Sequence, residues 1–234
     1  MSRKNQLSQI RLLENAAPKT IEQLLHHGSI IEVPKGTFLI RAKEPATSVF
    51  FQLSGKSVVY NLTHSGKRKI LFVFGKGALL NEHVFNCHGT SMYCETIEKS
   101  KIFAVPTAEF VRLMEADFEL TKSILAAQER KIWRLSHQLK NTMSSIYLER
   151  KLSAKLWKLA RDFGIQTEEG IEIDINMTIT FLADMLGVPR ETASRVCSTL
   201  VEYGLIKVCK KRITITCPDK MSLFYKTGKV EQKS

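Results

Sequence analysis

Between Ile30 and about Val105 the apolar residues come in short runs rich in Val, Ile, Phe and Tyr, among them "SVFFQL", "KSVVYNL", "RKILFVF" and "SKIFAV". Turn formers separate them: "PKG" from Pro34, Gly55, "HSG" from His64, "GKG" from Gly75 and "HG" from His88. Runs of this length bounded by glycine turns predict antiparallel strands. Their number predicts a small β-roll or barrel.

After Pro106 the period changes. From about Thr107 to Tyr147 there is neither Gly nor Pro, and Phe118, Leu125, Ile132, Leu139 and Ile146 recur every seven residues. That spacing keeps one stripe of a helix facing one way. Such a stripe either covers its own domain or faces a second chain. Gln128, Ser136, Lys140 and Thr142 leave it narrow, which suits a paired seam better than a broad buried face. These five apolar residues are therefore the expected homodimer interface.

A second helix is expected from about Ser145 to Phe163, ended by Gly164 as its C-cap. The polar loop "QTEEG" and the alternating strand "IEIDI" follow. Thr178 is suited to cap a helix carrying Phe181, Leu182, Met185 and Leu186, with Gly187 as its breaker. Pro189 is expected in the first turn of the next helix, where a missing N–H costs nothing.

On that helix, at roughly 100° per residue, Arg190, Glu191, Ser194, Arg195 and Ser198 fall on one face and Ala193, Val196 and Leu200 on the other. A recognition helix needs this division: small apolar residues seat it, and polar residues at its N-terminal end reach base edges. Arginine bonds bidentately to guanine, and glutamate accepts from cytosine. "GLIKVCKKRITITC" then predicts a strand from Ile206 to Cys209, a basic turn of Lys210, Lys211 and Arg212, and a strand with Ile213, Ile215 and Cys217 alternating. A hairpin tipped with cations beside two helices is a winged helix-turn-helix whose tip can contact phosphates.

Charge agrees with an anionic partner. The 234 residues carry 35 Lys and Arg against 23 Asp and Glu, a net charge of +12, which favours nucleic acid. The excess is spread over the chain, with 20 basic and 12 acidic residues before position 147 and 15 and 11 from there on. It does not say which half meets the anion.

"TITFLADMLGVPRETASRVCSTLVEYGLIKV" closely resembles the winged helix-turn-helix signature of the Crp/Fnr transcription regulators. The resemblance covers nearly the whole chain, the glycines at 36, 55, 66 and 77 included. It implies an α+β architecture: an N-terminal double-stranded β-roll (a cyclic-nucleotide-binding-like jelly roll) over residues 1–115, a long dimerisation helix and hinge over 116–146, and a winged helix-turn-helix DNA-binding domain over 147–234. Arg190, Glu191 and Arg195 match the family's base-reading positions, and Ser194 one that can also approach DNA. Pro189 departs from the Ser or Thr of many members, which removes a cap and a phosphate contact.

The resemblance further implies a small effector held at Glu82, Tyr93 and Cys94, whose binding reorients the DNA-binding domains of a homodimer about a hinge near Ser144 to Tyr147 on a palindromic operator. Cyclic-nucleotide-binding members carry Gly-Glu and, about ten residues later, Arg-Ser or Arg-Thr. Here "GALLNEHVF" has Asn81 before Glu82, and "CHGTSMYCET" holds no arginine. A cyclic phosphate would lose its strongest contact, so the expected effector is not cyclic AMP. Residues 1 to 86 hold no cysteine, against an N-terminal iron–sulfur cluster. Cys87 and Cys94 with His83 and His88 leave a redox- or haem-responsive sensor with weak or indirect DNA contact as the alternative.

The sequence specifies no cofactor and no metal site, and the five cysteines form neither a C-x2-C pair nor an even set. No catalytic constellation is legible, so no enzyme is expected. No secretory h-region or membrane-length apolar run is present, and a cytoplasmic protein is expected. RNA polymerase is the implied further partner of an activator.

Overall fold

The structure, a computed structural model, describes residues 3–64, 66–85, 89–143 and 147–229. Two compact units divide the chain: one of residues 1–61 and 70–137, the other of residues 138–234 together with 62–69.

The first unit opens with α1 (Arg3–Leu7), a short 3-10 turn and α2 (Pro18–His27). Seven strands follow: β1 (Ser29–Val33), β2 (Phe38–Ile40), β3 (Ser48–Ser54), β4 (Ser57–Leu62), β5 (Arg68–Phe74), β6 (Tyr93–Thr96) and β7 (Ser100–Pro106). They form two sheets in the orders β1-β7-β3 and β2-β6-β4-β5, the β-roll expected from the alternating runs. Gly36, Gly55, Gly66 and Gly77 all take positive φ, as their turns require. One apolar cluster joins Val49, Phe51, Phe103 and Val105 to Leu24 of α2 and Phe110. A second fills the other face with Val59, Phe72, Phe74, Leu80 and Cys94.

The glycine-free stretch after Pro106 is two helices, α3 (Thr107–Ala116) and α4 (Phe118–Met143). Asp117 between them is extended, at φ −130° and ψ 101°. Its Oδ1 accepts from the Leu120 N–H at 3.2 Å, and its Oδ2 from the Ala17 N–H at 2.8 Å. Burial opposes its charge, yet these bonds and one from Thr20 hold the carboxyl below its usual range. A bond to a residue a hundred positions away thus breaks a helix that the local sequence would continue.

In the second unit come α5 (Leu148–Phe163), β8 (Gly164–Thr167), β9 (Gly170–Ile173), α6 (Ile179–Leu186), α7 (Arg190–Glu202), β10 (Ile206–Cys209), β11 (Arg212–Ile215) and α8 (Pro218–Thr227). The strands form one antiparallel sheet in the order β10-β11-β9-β8. Leu152, Leu156, Ile173, Leu182, Leu200, Ile213 and Ile215 supply its core.

Gly164 is the C-cap of α5 as expected, in extended backbone at φ −79° and ψ 141°, and it also starts β8; two other local expectations are corrected. A Cβ there would meet the Ala160 carbonyl oxygen at 2.1 Å, so the close approach, not the turn, requires glycine. "QTEEG" is half strand, its residues pairing Gln166 with Ile171 and Thr167 with Gly170. Cys217 lies beyond β11, as the residue before α8, and Pro218 at the start of that helix ends the alternation.

Candidate functional site

Thr178 caps α6 as its sequence implies, its hydroxyl accepting from the Phe181 N–H at 3.1 Å. Gly187 closes the helix in the left-handed region at φ 73°, where any side chain would be strained. Pro189 is the N-cap of α7, one residue earlier than expected, and supplies no side-chain bond. The first N–H groups of α7 therefore keep their donor capacity, and the positive helix end favours the acidic Glu191 in its first turn.

Ala193, Val196, Cys197 and Leu200 are buried, while Arg190, Glu191, Ser194, Arg195 and Ser198 are exposed. Among the described residues, neither Arg190 nor Arg195 makes an ion pair or a side-chain hydrogen bond. One face of α7 is thus seated and the other is a fork of unspent donors.

The wing turn is tight. Lys210 and Lys211 both take positive φ, 44° and 71°, the pattern of a two-residue type I′ hairpin that ordinarily selects Asn and Gly. Both lysines are exposed. Arg212 differs: it is half-buried in β11, and its Nη1 donates to Asp174 Oδ1 at 2.5 Å and to the Ile173 carbonyl at 3.5 Å. The turn therefore presents two cations, and the third anchors the wing to the end of β9. Lys207 Nζ bonds Glu169 at 2.5 Å, and the Lys211 carbonyl accepts from Met177 N–H at 2.7 Å.

In the β-roll the three expected effector residues have different surroundings. Glu82 accepts from Thr90 Oγ1 at 2.6 Å, Ser91 N–H at 3.1 Å and Ser91 Oγ at 2.8 Å. Tyr93 stacks on Tyr60 at 5.3 Å between ring centres. Cys94 is buried in β6, and burial pushes its thiol up to about 12. A cavity of about 170 Å³ lies beside them instead, lined by Glu82, His83, Val84, Phe85, Ile124, Leu125 and Gln128. It includes Glu82 but neither Tyr93 nor Cys94.

Asn81 sits where nucleotide-binding relatives have glycine, and its role is structural. It is buried, its Oδ1 accepts from the Phe50 N–H at 2.7 Å, and its Nδ2 donates to the Ser48 carbonyl at 2.9 Å.

Two residues of α4 complete this region, and sequence reasoning misses both. Gln128 Nε2 donates to the Glu82 carbonyl at 3.2 Å. Lys131 Nζ donates to the Asn81 carbonyl at 2.7 Å and lies 5.4 Å from the Phe74 ring centre. Burial pulls the Lys131 ammonium down to about 8. The one signal in the sequence is a polar pair three residues apart beside the apolar stripe, which is one turn of one face. Cys87 and His88 lie outside the described residues, and among the described residues no cluster suits a metal ion.

The α4 stripe is exposed: Phe118 at 73%, Leu125 at 48%, Ile132 at 64% and Leu139 at 62%. Ile146 and most of the expected hinge lie outside the described residues. Trp133, which the seven-residue spacing does not mark, adds a further exposed ring at 62% and packs on His137 at 4.1 Å.

Comparison with known proteins fits both units. Residues 30–117 match the cyclic nucleotide-binding domain and residues 150–223 the Crp-like helix-turn-helix domain. The chain belongs to the Crp/Fnr family of transcription regulators. It is 27% identical over 213 residues to the probable transcriptional regulator flp of Lacticaseibacillus casei, spanning 91% of this chain and 93% of that one. It is 25% identical to the cAMP-activated global transcriptional regulator CRP of Haemophilus influenzae, over 83% of this chain and 87% of the other. In fold it is similar to FixK2 of Bradyrhizobium japonicum, with a TM-score of 0.73 at 15% identity over 88% of this chain and 98% of that one. This Crp/Fnr protein is accordingly a DNA-binding transcription regulator with an effector-binding domain, and it is not an enzyme. No helix among the described residues is long and apolar enough to cross a membrane.

Proposed function

We propose that this regulator is a cytoplasmic homodimer that reads a two-fold symmetric operator under control of a small effector other than cyclic AMP. The observation carrying the reading is α7: an exposed fork of Arg190, Glu191 and Arg195 backed by buried Ala193, Val196 and Leu200. With α7 in the major groove the arginines meet guanine and Glu191 meets cytosine, while Ser194 approaches the same strand. Lys210 and Lys211 meet phosphate across the wing. Two cations held at left-handed φ, where the backbone cost is of order 1–3 kcal/mol each, support a role for them outside folding. Arg212, tied to Asp174, acts by fixing the wing.

Phe118, Leu125, Ile132 and Leu139, with Trp133, form the seam between two copies of α4. An exposed apolar stripe of this length calls for a partner, and a second copy supplies the symmetry a palindromic operator needs. Where the regulator activates, RNA polymerase is the further partner.

Selection of bound sequences from a random duplex pool tests the reading. The expected consensus is a palindrome with half-sites about one helical turn apart. An asymmetric consensus, or none, would contradict it.

The absence of a loop arginine and the filling of the glycine position by Asn81 support an effector other than cyclic AMP. A thiol switch at Cys94 has little support, because a thiol raised to about 12 is almost wholly protonated at neutral pH.

A further inference from the structure

We infer that Lys69 is a positioning residue for operator binding: its ammonium holds the turn between α6 and α7 in place of the cap that Pro189 cannot supply. The inference rests on the reading of α7 as the helix that meets DNA, and it adds a residue from far outside the helix-turn-helix sequence.

The turn is short of partners of its own. The last carbonyls of a helix have no N–H further along that helix to accept from. At the end of α6 the Ala183 carbonyl takes both the Gly187 and the Val188 N–H, at 2.7 and 3.2 Å, which leaves Met185 and Leu186 without either. The residue four past Met185 is Pro189, which has no N–H to offer. Pro189 is also the N-cap of α7 and makes no side-chain bond there. Neither side of the turn is therefore closed by its own sequence.

Lys69 closes it from outside. Residues 62–69, the end of the β4–β5 hairpin, fold with the second unit. Lys69 Nζ donates to the Leu186 carbonyl at 2.5 Å and to the Met185 carbonyl at 3.2 Å, the two that the turn leaves over. Both residues are buried, and a buried carbonyl without a donor is costly. A cation is also the charge that the negative end of a helix favours. Gly187 makes room for it: a Cβ there would stand 2.9 Å from both Cδ and Nζ of Lys69, so this glycine serves the approach of the lysine as well as the left-handed backbone. The neighbouring Arg68 acts through space on Asp184 of the same helix.

The ammonium stays there against opposition. Burial and the charge of Lys151 pull it below the ordinary lysine range. Among the described residues no carboxylate forms an ion pair with it, so the bonds to the two carbonyls keep the charge in place. A lysine without a task would turn its flexible stem to water. The turn it braces runs through Val188 and Pro189 straight into Arg190 and Glu191, the first residues of the exposed fork. Loosening it frees the start of α7, while buried Ala193, Val196 and Leu200 keep the rest of the helix seated.

The test is a cycle of Lys69→Met and Pro189→Ser in the full-length protein, with Lys69→Ala as a second neutral variant and Lys69→Arg as the one that keeps charge and reach. Pro189→Ser returns a hydroxyl cap. Amide hydrogen exchange is read first, without DNA. Gly187, Val188 and residues 190–193 are expected to exchange at least about fivefold faster in Lys69→Met and near the wild-type rate in Lys69→Arg. Operator affinity is expected to fall about tenfold in Lys69→Met and Lys69→Ala, in proteins still folded by circular dichroism, and to hold in Lys69→Arg. Pro189→Ser is expected to restore more affinity to Lys69→Met than it adds to the wild type, because a cap matters most where the brace is gone. Exchange unchanged by Lys69→Met, a Lys69→Arg that fails like Lys69→Met, or an equal gain from Pro189→Ser in both backgrounds would overturn the inference. A wild type that selects no palindromic operator would overturn the operator reading instead, and the exchange measurement would still decide on Lys69.

Discussion

On α7 the guanidinium groups of Arg190 and Arg195 stand exposed and unpaired among the described residues, whereas in the β-roll Glu82 gives both carboxylate oxygens to Thr90 and Ser91. The two regions use polar side chains oppositely. A surface that must meet a large, charged, water-covered partner leaves its donors solvated until the partner arrives. A buried polar group cannot, because left unsatisfied it costs about 1–3 kcal/mol. The β-roll accordingly bonds its polar groups internally, Asn81 to Phe50 and Ser48, and Lys131 to the Asn81 carbonyl.

The largest effect expected is on the seam that would bring two α7 helices to one operator. Ile132→Lys or Leu139→Lys puts a charge into an apolar interface on both copies, so sedimentation should report monomers and operator binding should be abolished. Dimers that persist would place the pairing surface elsewhere than on α4.

Next comes the loop that carries the pocket. Asn81→Ala strands the Phe50 N–H and the Ser48 carbonyl, both now bonded by the amide, and should cost roughly 1–3 kcal/mol in chemical unfolding. A neutral result would mean that water replaces the amide and that this region is open to solvent.

The smallest effect sharpens the contrast most. Replacing Lys210 and Lys211 by Asn and Gly suits the left-handed turn better, so the fold should be more stable by about 1 kcal/mol or more. Operator affinity should nonetheless fall, almost equally on all sequences, and the salt dependence should flatten by about one unit of slope per lost phosphate contact. Stability and affinity moving together would deny the wing its role as a solvated surface kept for DNA.

The same contrast explains what could be read in the sequence. Interface residues sit within a few turns of chain, so spacing alone places Arg190, Glu191 and Arg195 opposite Ala193, Val196 and Leu200. The turns of the β-roll are equally local, and Gly36, Gly55, Gly66 and Gly77 mark them. The residues where α4 meets Asn81 and Glu82 are joined by tertiary bonds instead. Lys131 reaches a carbonyl 50 positions away, and nothing near it in the sequence announces that contact. The break at Asp117 depends on Ala17. Strand β8 is exposed along its whole length and so lacks the alternation that betrays a strand buried on one side. Arg212 reads as a third cation at the wing tip because its pairing with Asp174 spans 38 residues.

Base reading by α7 is tested most directly by a binding matrix: wild type and Arg195→Ala against operators substituted singly at each half-site position. The expected result is a loss of about 1–3 kcal/mol on the best operator and relaxed discrimination at one position, with the other positions unchanged. An equal loss on every operator would mean that Arg195 meets only phosphate, and no loss at all would contradict the assignment of α7 as the helix that reads the bases.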